Sequence, residues 1–183
     1  MKLYTVGHYN HTQEQFVTML ESCSIDCVVD IRALPGSNRS PHFNKDQIER
    51  WLHDAGITYV HLEKLGGRRK LSSQIGERLN AGWENRSFHN YADYTLTDLF
   101  KQGRESLLSL MKEHCCVIMC SERHPSRCHR LIISNDLTVK GYEVIHLIPN
   151  RDGKSEQVLH ELGKWGAIPV VEKDETVVYP ELN

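Results

Sequence analysis

The sequence predicts an α/β protein with a mostly parallel central sheet of about five strands and helices on both faces. Short apolar runs typical of buried strands alternate along the chain with stretches of helical spacing. The run at residues 27–34 is too apolar to be half exposed, which is typical of a parallel strand covered on both faces. Polar and reactive residues follow several of these runs. Because the carboxyl ends of parallel strands lie at the same edge of a sheet, these residues are expected to gather there.

Local patterns define the elements in chain order. Strands are predicted at residues 3–6, 27–34, 57–62, 115–119 and 142–148. Helices are predicted to begin after caps at Thr12, Asn44 and Ser126, the first with a capping box to Gln15. A further helix is predicted from roughly Thr97 to Glu113. Residues 63–94 lack clear periodicity, and loops of such length are usually functional or disordered.

Residues 1–148 are expected to form a core domain, and residues 149–183 an extension that packs on it. The extension is predicted to contain one more helix at residues 155–164. A hairpin is predicted to pair residues 169–171 with residues 176–178 around a polar turn.

Composition favours a soluble globular protein, because 39% of the residues are hydrophobic and 25% are charged. The net charge of −2 gives no overall field that would attract nucleic acid or a membrane. The sequence shows no signal peptide pattern and no run that approaches a membrane span. Six cysteines without an export signal are expected to be reduced thiols, so a cytoplasmic location is predicted.

Residues 115–130 carry the densest set of reactive side chains. Cys120 ends a predicted strand, and Glu122 follows two residues later. Cys128, His129 and Arg130 are predicted to lie in the first turn of the next helix. Backbone N–H groups and the positive end of the helix dipole favour anions there. This segment is therefore predicted to form one wall of a ligand cleft.

The ends of the first two strands are predicted to form the opposite wall. His8 follows the first strand, while Asp30 and Arg32 share one face of the second. A charged residue at the end of so apolar a strand needs a partner, so Arg32 is expected to pair with Asp30, Glu122 or a ligand. Asp30 is accordingly either a general base or the structural partner of an arginine.

These stretches resemble the bacterial and archaeal family known as domain of unknown function 488. The matching segments are residues 5–10, 29–32 with 35–37, 59–62 with 65–68, 91–94, and 120–122 with 128–130. They occur in that order over roughly the first 148 residues, and Tyr9 departs from the small residue expected after His8. The resemblance implies an α/β fold and a polar cleft, and it implies no settled reaction.

Cys120 is open to two interpretations. Helix N–H groups and nearby arginines would lower the pKa of a nucleophilic thiol. However, Arg127 lies one residue too far along for a phosphate loop, so Cys120 is also interpreted as inert packing. The ligand types of Cys120, His124, Cys128 and His129 suit zinc, but without a Cys-x-x-Cys pair no metal is expected.

The leading functional hypothesis is an enzyme that binds a small anionic, phosphorylated or nucleotide-like ligand. Arginine forks suit such a ligand, and the candidates are Arg32, Arg39, Arg68 and Arg130. Asp30 or Glu122 together with His8 would move protons. Tyr91 and Tyr94 either stack on a base or pack the long loop.

Two alternatives come from other classes of protein. In a nucleic-acid-binding module without catalysis, the tyrosines would stack on bases and a wider basic set would contact phosphates. That set comprises Arg39, Arg68, Arg69, Lys70, Arg123, Arg127 and Arg130. A thiol redox or sulfur-carrier protein would require a reactive Cys120. The sequence predicts no membrane partner, and it leaves the cofactor, the substrate and the oligomeric state open.

Overall fold

The computed structural model describes residues 1–150 and 154–182. The strands are β1 (Lys2–Gly7), β2 (Cys27–Asp30), β3 (Thr58–His61), β4 (Cys116–Cys120), β5 (Glu143–Pro149), β6 (Ser155–Leu159), β7 (Val170–Val171) and β8 (Val177–Val178). The α-helices are α1 (Gln13–Ser22), α2 (Lys45–Asp54), α3 (Arg86–Thr95), α4 (Asp98–Glu113) and α5 (Arg130–Val139).

A six-stranded sheet in the order β3-β2-β4-β1-β5-β6 forms the centre of the fold. Every neighbouring pair among β1 to β5 is parallel, and β6 is antiparallel to β5. Parallel strands that follow one another through helical crossovers are buried on both faces, as the apolar run of β2 indicates. The predicted α/β class with a mostly parallel sheet is therefore confirmed.

Helices cover both faces of this sheet. On one face, Phe16 of α1 and Leu52 of α2 are fully buried against the strands. On the other face, Phe100 of α4 and Leu131 of α5 belong to a second core. Helices α1, α2 and α4 bury the apolar stripe that their helical spacing predicts, whereas α5 is buried along eight consecutive residues.

The prediction of a helix at residues 155–164 is wrong. Residues 155–159 form β6, which pairs antiparallel with β5 from Ile145 to Pro149. The apolar spacing of Val158, Leu159 and Leu162 suits a helix, but the open edge of β5 offers backbone partners that override this local preference. The hairpin predicted further along is confirmed, because β7 and β8 pair antiparallel.

Several element boundaries and one capping residue also differ from the prediction. The second strand ends at Asp30 rather than at residue 34. Helix α5 begins at Arg130 rather than Cys128, because Cys128 has an extended backbone after a 3₁₀ turn at Pro125–Arg127. That turn is capped by the side chain of His124 and not by Ser126. These differences move Cys128 out of the predicted helix turn.

The segment from residue 63 to residue 94 is not a continuous loop. Its last part forms α3, which is capped by the Asn85 side chain accepting hydrogen bonds from the N–H groups of Ser87 and Phe88. The predicted capping box of α1 is confirmed between Thr12 and Gln15. Among the described residues, no helix is both long enough and apolar enough to cross a membrane.

Gly7 is required where β1 ends beside the loop that follows β4. A Cβ atom there would lie 1.7 Å from the carbonyl oxygen of Glu122. We therefore expect Gly7→Ala to lower the free energy of unfolding by about 3 kcal/mol or more, since the backbone must shift. Urea unfolding measures this loss. Gly76→Ala is the control, because its added Cβ meets nothing within 4 Å; an equal loss in both variants would contradict the packing argument.

Candidate functional site

The carboxyl ends of β1, β2 and β4 meet at one edge of the sheet. Gly7 lies opposite Cys120, and Asp30 lies opposite Met119. The structure therefore brings His8, Asp30 and Cys120 to the same edge, where the sequence places them. A cavity of about 320 Å³ opens there. It is lined by His8, Arg32, Ala33, Leu34, Gly36, Ser37, Gly67, Arg68, Cys120, Ser121 and His129.

Asp30 and Arg32 form a buried ion pair on the β2 side of the cavity. Arg32 donates from Nε to Oδ1 of Asp30 (2.9 Å) and from Nη2 to Oδ2 (2.6 Å). The hydroxyl of Tyr59 donates to the same Oδ2 at 2.7 Å. Because its oxygens are occupied by these donors, Asp30 is placed as the structural partner of Arg32 and not as an accessible base.

The Arg32 guanidinium keeps its charge despite its burial. Burial alone would lower the pKa of Arg32, but the hydrogen bonds and charge of Asp30 outweigh that effect and raise it. The Nη2 atom also donates to the carbonyl oxygen of Phe43 at 2.8 Å. Asp30 and Phe43 thus fix one edge of the guanidinium, and Nη1 remains on the side of His8.

His8 is a buried, neutral imidazole. Its ring stacks on Phe43 with centroids 4.4 Å apart, and Nδ1 donates to the carbonyl oxygen of Tyr9 at 3.2 Å. Nε2 then accepts from Nη1 of Arg32 at 3.4 Å. Burial, with the charge of Arg32, lowers the pKa of His8 to about 4. His8 is therefore neutral at neutral pH, and the lone pair of its Nε2 accepts a hydrogen bond from Arg32 at the cavity wall.

Cys120, Cys128 and His129 form a compact cluster on the opposite wall. Their sulfur and nitrogen atoms all lie within 4.8 Å of one another. Nε2 of His129 donates to the carbonyl oxygen of Ile31 at 3.0 Å, so Nδ1 keeps its lone pair toward the thiols. His124, which the sequence grouped with these residues, instead bonds Ser126 at 2.7 Å.

Arg130, which the sequence predicts as an anion ligand, is buried completely and does not line the cavity. Its Nε donates to Cys128 Sγ at 3.3 Å, Nη1 donates to Thr5 Oγ1 at 3.4 Å, and Nη2 donates to the carbonyl oxygen of Glu122. Within the described residues, no carboxylate forms an ion pair with it. Arg130 therefore acts on Cys128 and on the loop after β4.

The two thiols of the cluster differ in acidity. Burial would raise the pKa of Cys128, but a hydrogen bond from Cys120 and the charge of Arg130 lower it to about 6. The same hydrogen bond, together with burial, raises the pKa of Cys120 to about 12. The environment that the sequence associates with a nucleophilic Cys120 thus favours ionisation of Cys128 instead.

The two predicted tyrosines take the packing alternative. Tyr91 is buried, and its hydroxyl donates to the carbonyl oxygen of Leu65 at 2.6 Å. The hydroxyl of Tyr94 donates to the carbonyl oxygen of Lys64 at 2.8 Å, and the Arg69 guanidinium lies 3.8 Å from the centre of its ring. Both rings hold the segment after β3 against α3, and neither lines the cavity.

The remaining predicted residues divide between the cavity and the surface. Arg68 is exposed, lines the cavity and has a left-handed backbone with φ of 58°. Arg39 and the side chain of Glu122 are exposed and lie outside the cavity lining. Of the four predicted anion ligands, the structure therefore brings Arg32 and Arg68 together at the cavity.

Some site residues were missed by the sequence reasoning. Tyr59 and Phe43 fix the buried ion pair, and nothing in their local pattern indicates that role. Gly67 is different, because the glycine pair at residues 66–67 is visible in the sequence. A Cβ on Gly67 would lie 3.0 Å from Nδ1 of His129, so the close approach of this loop to the cluster depends on glycine.

A chain of buried hydrogen bonds links Arg130 to the C-terminal segment. Thr5 Oγ1, which accepts from Arg130, donates to Nδ1 of His146 at 2.8 Å. Nε2 of His146 donates to Nδ1 of His160 at 2.9 Å, and Nε2 of His160 donates to Oδ1 of Asn135 at 2.9 Å. Burial, and for His146 the nearby His160, lowers the pKa of both imidazoles, to about 3 and about 4 respectively. The chain therefore runs through two neutral histidines.

Fold and site together define an α/β protein with a polar, thiol-containing cavity at the carboxyl edge of a parallel sheet. The chain belongs to the family described as Domain of unknown function DUF488, whose model matches residues 12–137. The predicted family is thus confirmed. Searches of curated proteins and of solved structures found no match. The matched segment includes Asp30, Arg32 and the whole Cys120–Cys128–His129 cluster.

Proposed function

We propose that this protein is an enzyme that binds a small anionic ligand, phosphorylated or nucleotide-like, in the cavity at the carboxyl ends of β1, β2 and β4. The supporting observation is the charge of the lining. Arg68 contributes an exposed guanidinium group, and Arg32 contributes one whose charge is balanced by Asp30 behind the cavity wall. Among the described residues that line the cavity, none carries a carboxylate. A lining of this kind favours a ligand of negative charge.

Arg32 is suited to bind such a ligand because its side chain is already held in place. Asp30 and Phe43 bond the Nε and Nη2 atoms, which leaves Nη1 directed toward the cavity side of His8. A side chain that is ordered before binding loses little conformational freedom when the ligand arrives. The cavity volume of about 320 Å³ lies at the small end of the range for ligand sites.

Proton transfer is assigned to His8 in this proposal. Its Nε2 is an acceptor next to Arg32, and its lowered pKa keeps it neutral at physiological pH. The role is not assigned to Asp30, because its oxygens accept hydrogen bonds from Arg32 and Tyr59. Glu122 contributes its backbone carbonyl to Arg130, while its carboxylate lies outside the cavity lining. Ligand binding at Arg32 would place the reacting group beside His8.

Arg68→Met tests the anion site with little risk to the fold, because Arg68 is exposed. We expect the affinity for inorganic pyrophosphate or a nucleoside monophosphate to fall about tenfold, since one charge-assisted hydrogen bond is lost. Isothermal titration calorimetry measures the affinity. Arg39→Met is the matched control, because Arg39 is an exposed arginine outside the cavity lining. Equal losses in both variants, or no saturable binding by the natural sequence, would contradict the proposal.

A further inference from the structure

We propose that Cys120, Cys128 and His129 form a binding site for a Zn²⁺ ion whose fourth coordination position opens into the cavity. Two thiols and one imidazole are ligands that zinc prefers. Their donor atoms all lie within 4.8 Å of one another. The metal site uses different side chains from the proposed anion site, and both open into the same cavity.

The spacing of one donor pair fits tetrahedral zinc. Cys128 Sγ lies 3.7 Å from Nδ1 of His129. Two ligands on one zinc ion, with bonds of about 2.3 Å to sulfur and about 2.0 Å to nitrogen, are separated by about 3.6 Å. The pair therefore already has the separation that a shared ion would impose.

The orientation of His129 is fixed by a second interaction. Its Nε2–H donates to the carbonyl oxygen of Ile31 at 3.0 Å, which leaves Nδ1 as the nitrogen with a lone pair. Histidines that bind metals commonly donate their other ring N–H to such a carbonyl. Gly67 packs against the same ring, where a side chain would approach Nδ1 to 3.0 Å. The imidazole is thus held with its metal-binding atom facing the thiols.

The surroundings also suit a zinc-bound thiolate. Nε of Arg130 donates to Cys128 Sγ at 3.3 Å, and the backbone N–H of Arg130 donates to it at 3.5 Å. Hydrogen bonds of this kind stabilise a coordinating sulfur. Two thiolates would neutralise the charge of Zn²⁺, so the buried Arg130 would leave the site with a net positive charge. That charge favours an anionic oxygen in the open position.

The open position follows from which ligands reach the cavity. Cys120 and His129 line it, whereas Cys128 lies behind them. In the described part of the chain, no fourth histidine, cysteine or carboxylate joins the cluster. Closed structural zinc sites have four protein ligands, whereas catalytic sites have three and leave one position for water or substrate. The cluster, with three protein ligands and one open position, therefore has the arrangement of a catalytic zinc site.

Cobalt substitution tests the proposal on the full chain. Metal-free protein titrated with Co²⁺ is expected to develop a thiolate-to-cobalt charge-transfer band that saturates at one equivalent. Cys120→Ser, Cys128→Ser and His129→Gln should each weaken cobalt and zinc binding by at least the roughly 10–100-fold loss seen when a supporting partner of a metal ligand is removed. Elemental analysis of the protein purified without chelator should show zinc.

Cys27→Ala is the matched control. Cys27 lies opposite Cys116 in the sheet as a second pair of buried cysteines, at the other end of the strands from the cavity. This variant should keep the cobalt band. Circular dichroism shows whether each variant is folded, and Cys120→Ser and His129→Gln suffice if Cys128→Ser does not fold.

Two results would overturn the metal site. One is the absence of a thiolate-to-cobalt band in the natural sequence, and the other is an unchanged band in the folded Cys120→Ser or His129→Gln variant. Pyrophosphate titration of the metal-free protein keeps the two proposals apart. Binding of pyrophosphate without the cobalt band would refute the metal site alone, and the reverse result would refute the anion site alone.

Discussion

Replacing Asp30 with asparagine is expected to lower the free energy of unfolding by about 3–5 kcal/mol. The carboxylate is fully buried and is the anionic partner of the buried Arg32 guanidinium. Asparagine keeps one oxygen but places an amide nitrogen where a second acceptor is needed by Arg32 or Tyr59. The large loss arises because a buried charge is left without its counter-charge.

Urea unfolding at neutral pH measures this loss. Asp26→Asn is the matched control, because Asp26 directly precedes the same strand and its side chain is 55% exposed. Its bond from the backbone N–H of Cys115 can be kept by the asparagine oxygen. The control should stay within about 0.5 kcal/mol of the natural sequence. If Asp30→Asn lowered the free energy of unfolding by less than about 1 kcal/mol, the pair would contribute no more than an exposed ion pair. That result would contradict the prediction.

Acidification is expected to destabilise the protein at a pH where most carboxylates are still charged. Burial is the main cause that lowers the pKa of His8 to about 4, of His146 to about 3 and of His160 to about 4. In the unfolded chain these imidazoles titrate at the ordinary value of 6.5. The unfolded state therefore binds more protons below pH 6.5, and stability falls as the pH falls from there toward about 4.

The expected slope is steep. Each extra proton bound by the unfolded state changes stability by about 1.4 kcal/mol per pH unit, so three histidines together give about 4 kcal/mol per pH unit. Over two units such a slope is comparable to the whole stability of a typical domain, about 5–15 kcal/mol. The protein is therefore expected to unfold before the buried histidines can be protonated in the folded state.

Urea unfolding at several pH values between neutral and mildly acidic, followed by tryptophan fluorescence, measures the slope. His160→Gln should reduce the slope by up to about 1.4 kcal/mol per pH unit, the contribution of one proton, because a buried imidazole is removed. His53→Gln is the control, since the His53 side chain is 90% exposed and should leave the slope unchanged. A free energy of unfolding that stays constant as the pH falls below 6.5 would contradict the prediction.

The features that sequence reasoning predicted correctly depend on short-range patterns. The buried parallel strands follow from apolar runs, and the capping box of α1 follows from Thr12 and Gln15. The pairing of Asp30 with Arg32, one of the partners considered, joins residues only two positions apart. The common edge for His8, Asp30 and Cys120 follows from strand polarity alone, because parallel strands end on the same side.

The features that it missed depend on long-range packing. Residues 155–159 have apolar spacing that suits a helix, and only the open edge of β5 makes them a strand. Arg130 has the sequence context of an anion ligand, yet contacts with Thr5 and with the carbonyl of Glu122 bury it. Cys120 and Cys128 are eight positions apart with a 3₁₀ turn between them, so their proximity is a property of the folded loop.

The central place of β1 in the sheet has a consequence for synthesis of the chain. Tyr4 pairs with Val117 of β4 and with Ile145 of β5, so both neighbours of β1 are encoded far downstream. A ribosome must translate most of the sequence before this strand can find either partner. Closing such long loops is slow, and the unpaired apolar strand is exposed to aggregation during that time. Protection by a chaperone during translation would therefore benefit β1 more than β2, whose partner β3 follows it closely.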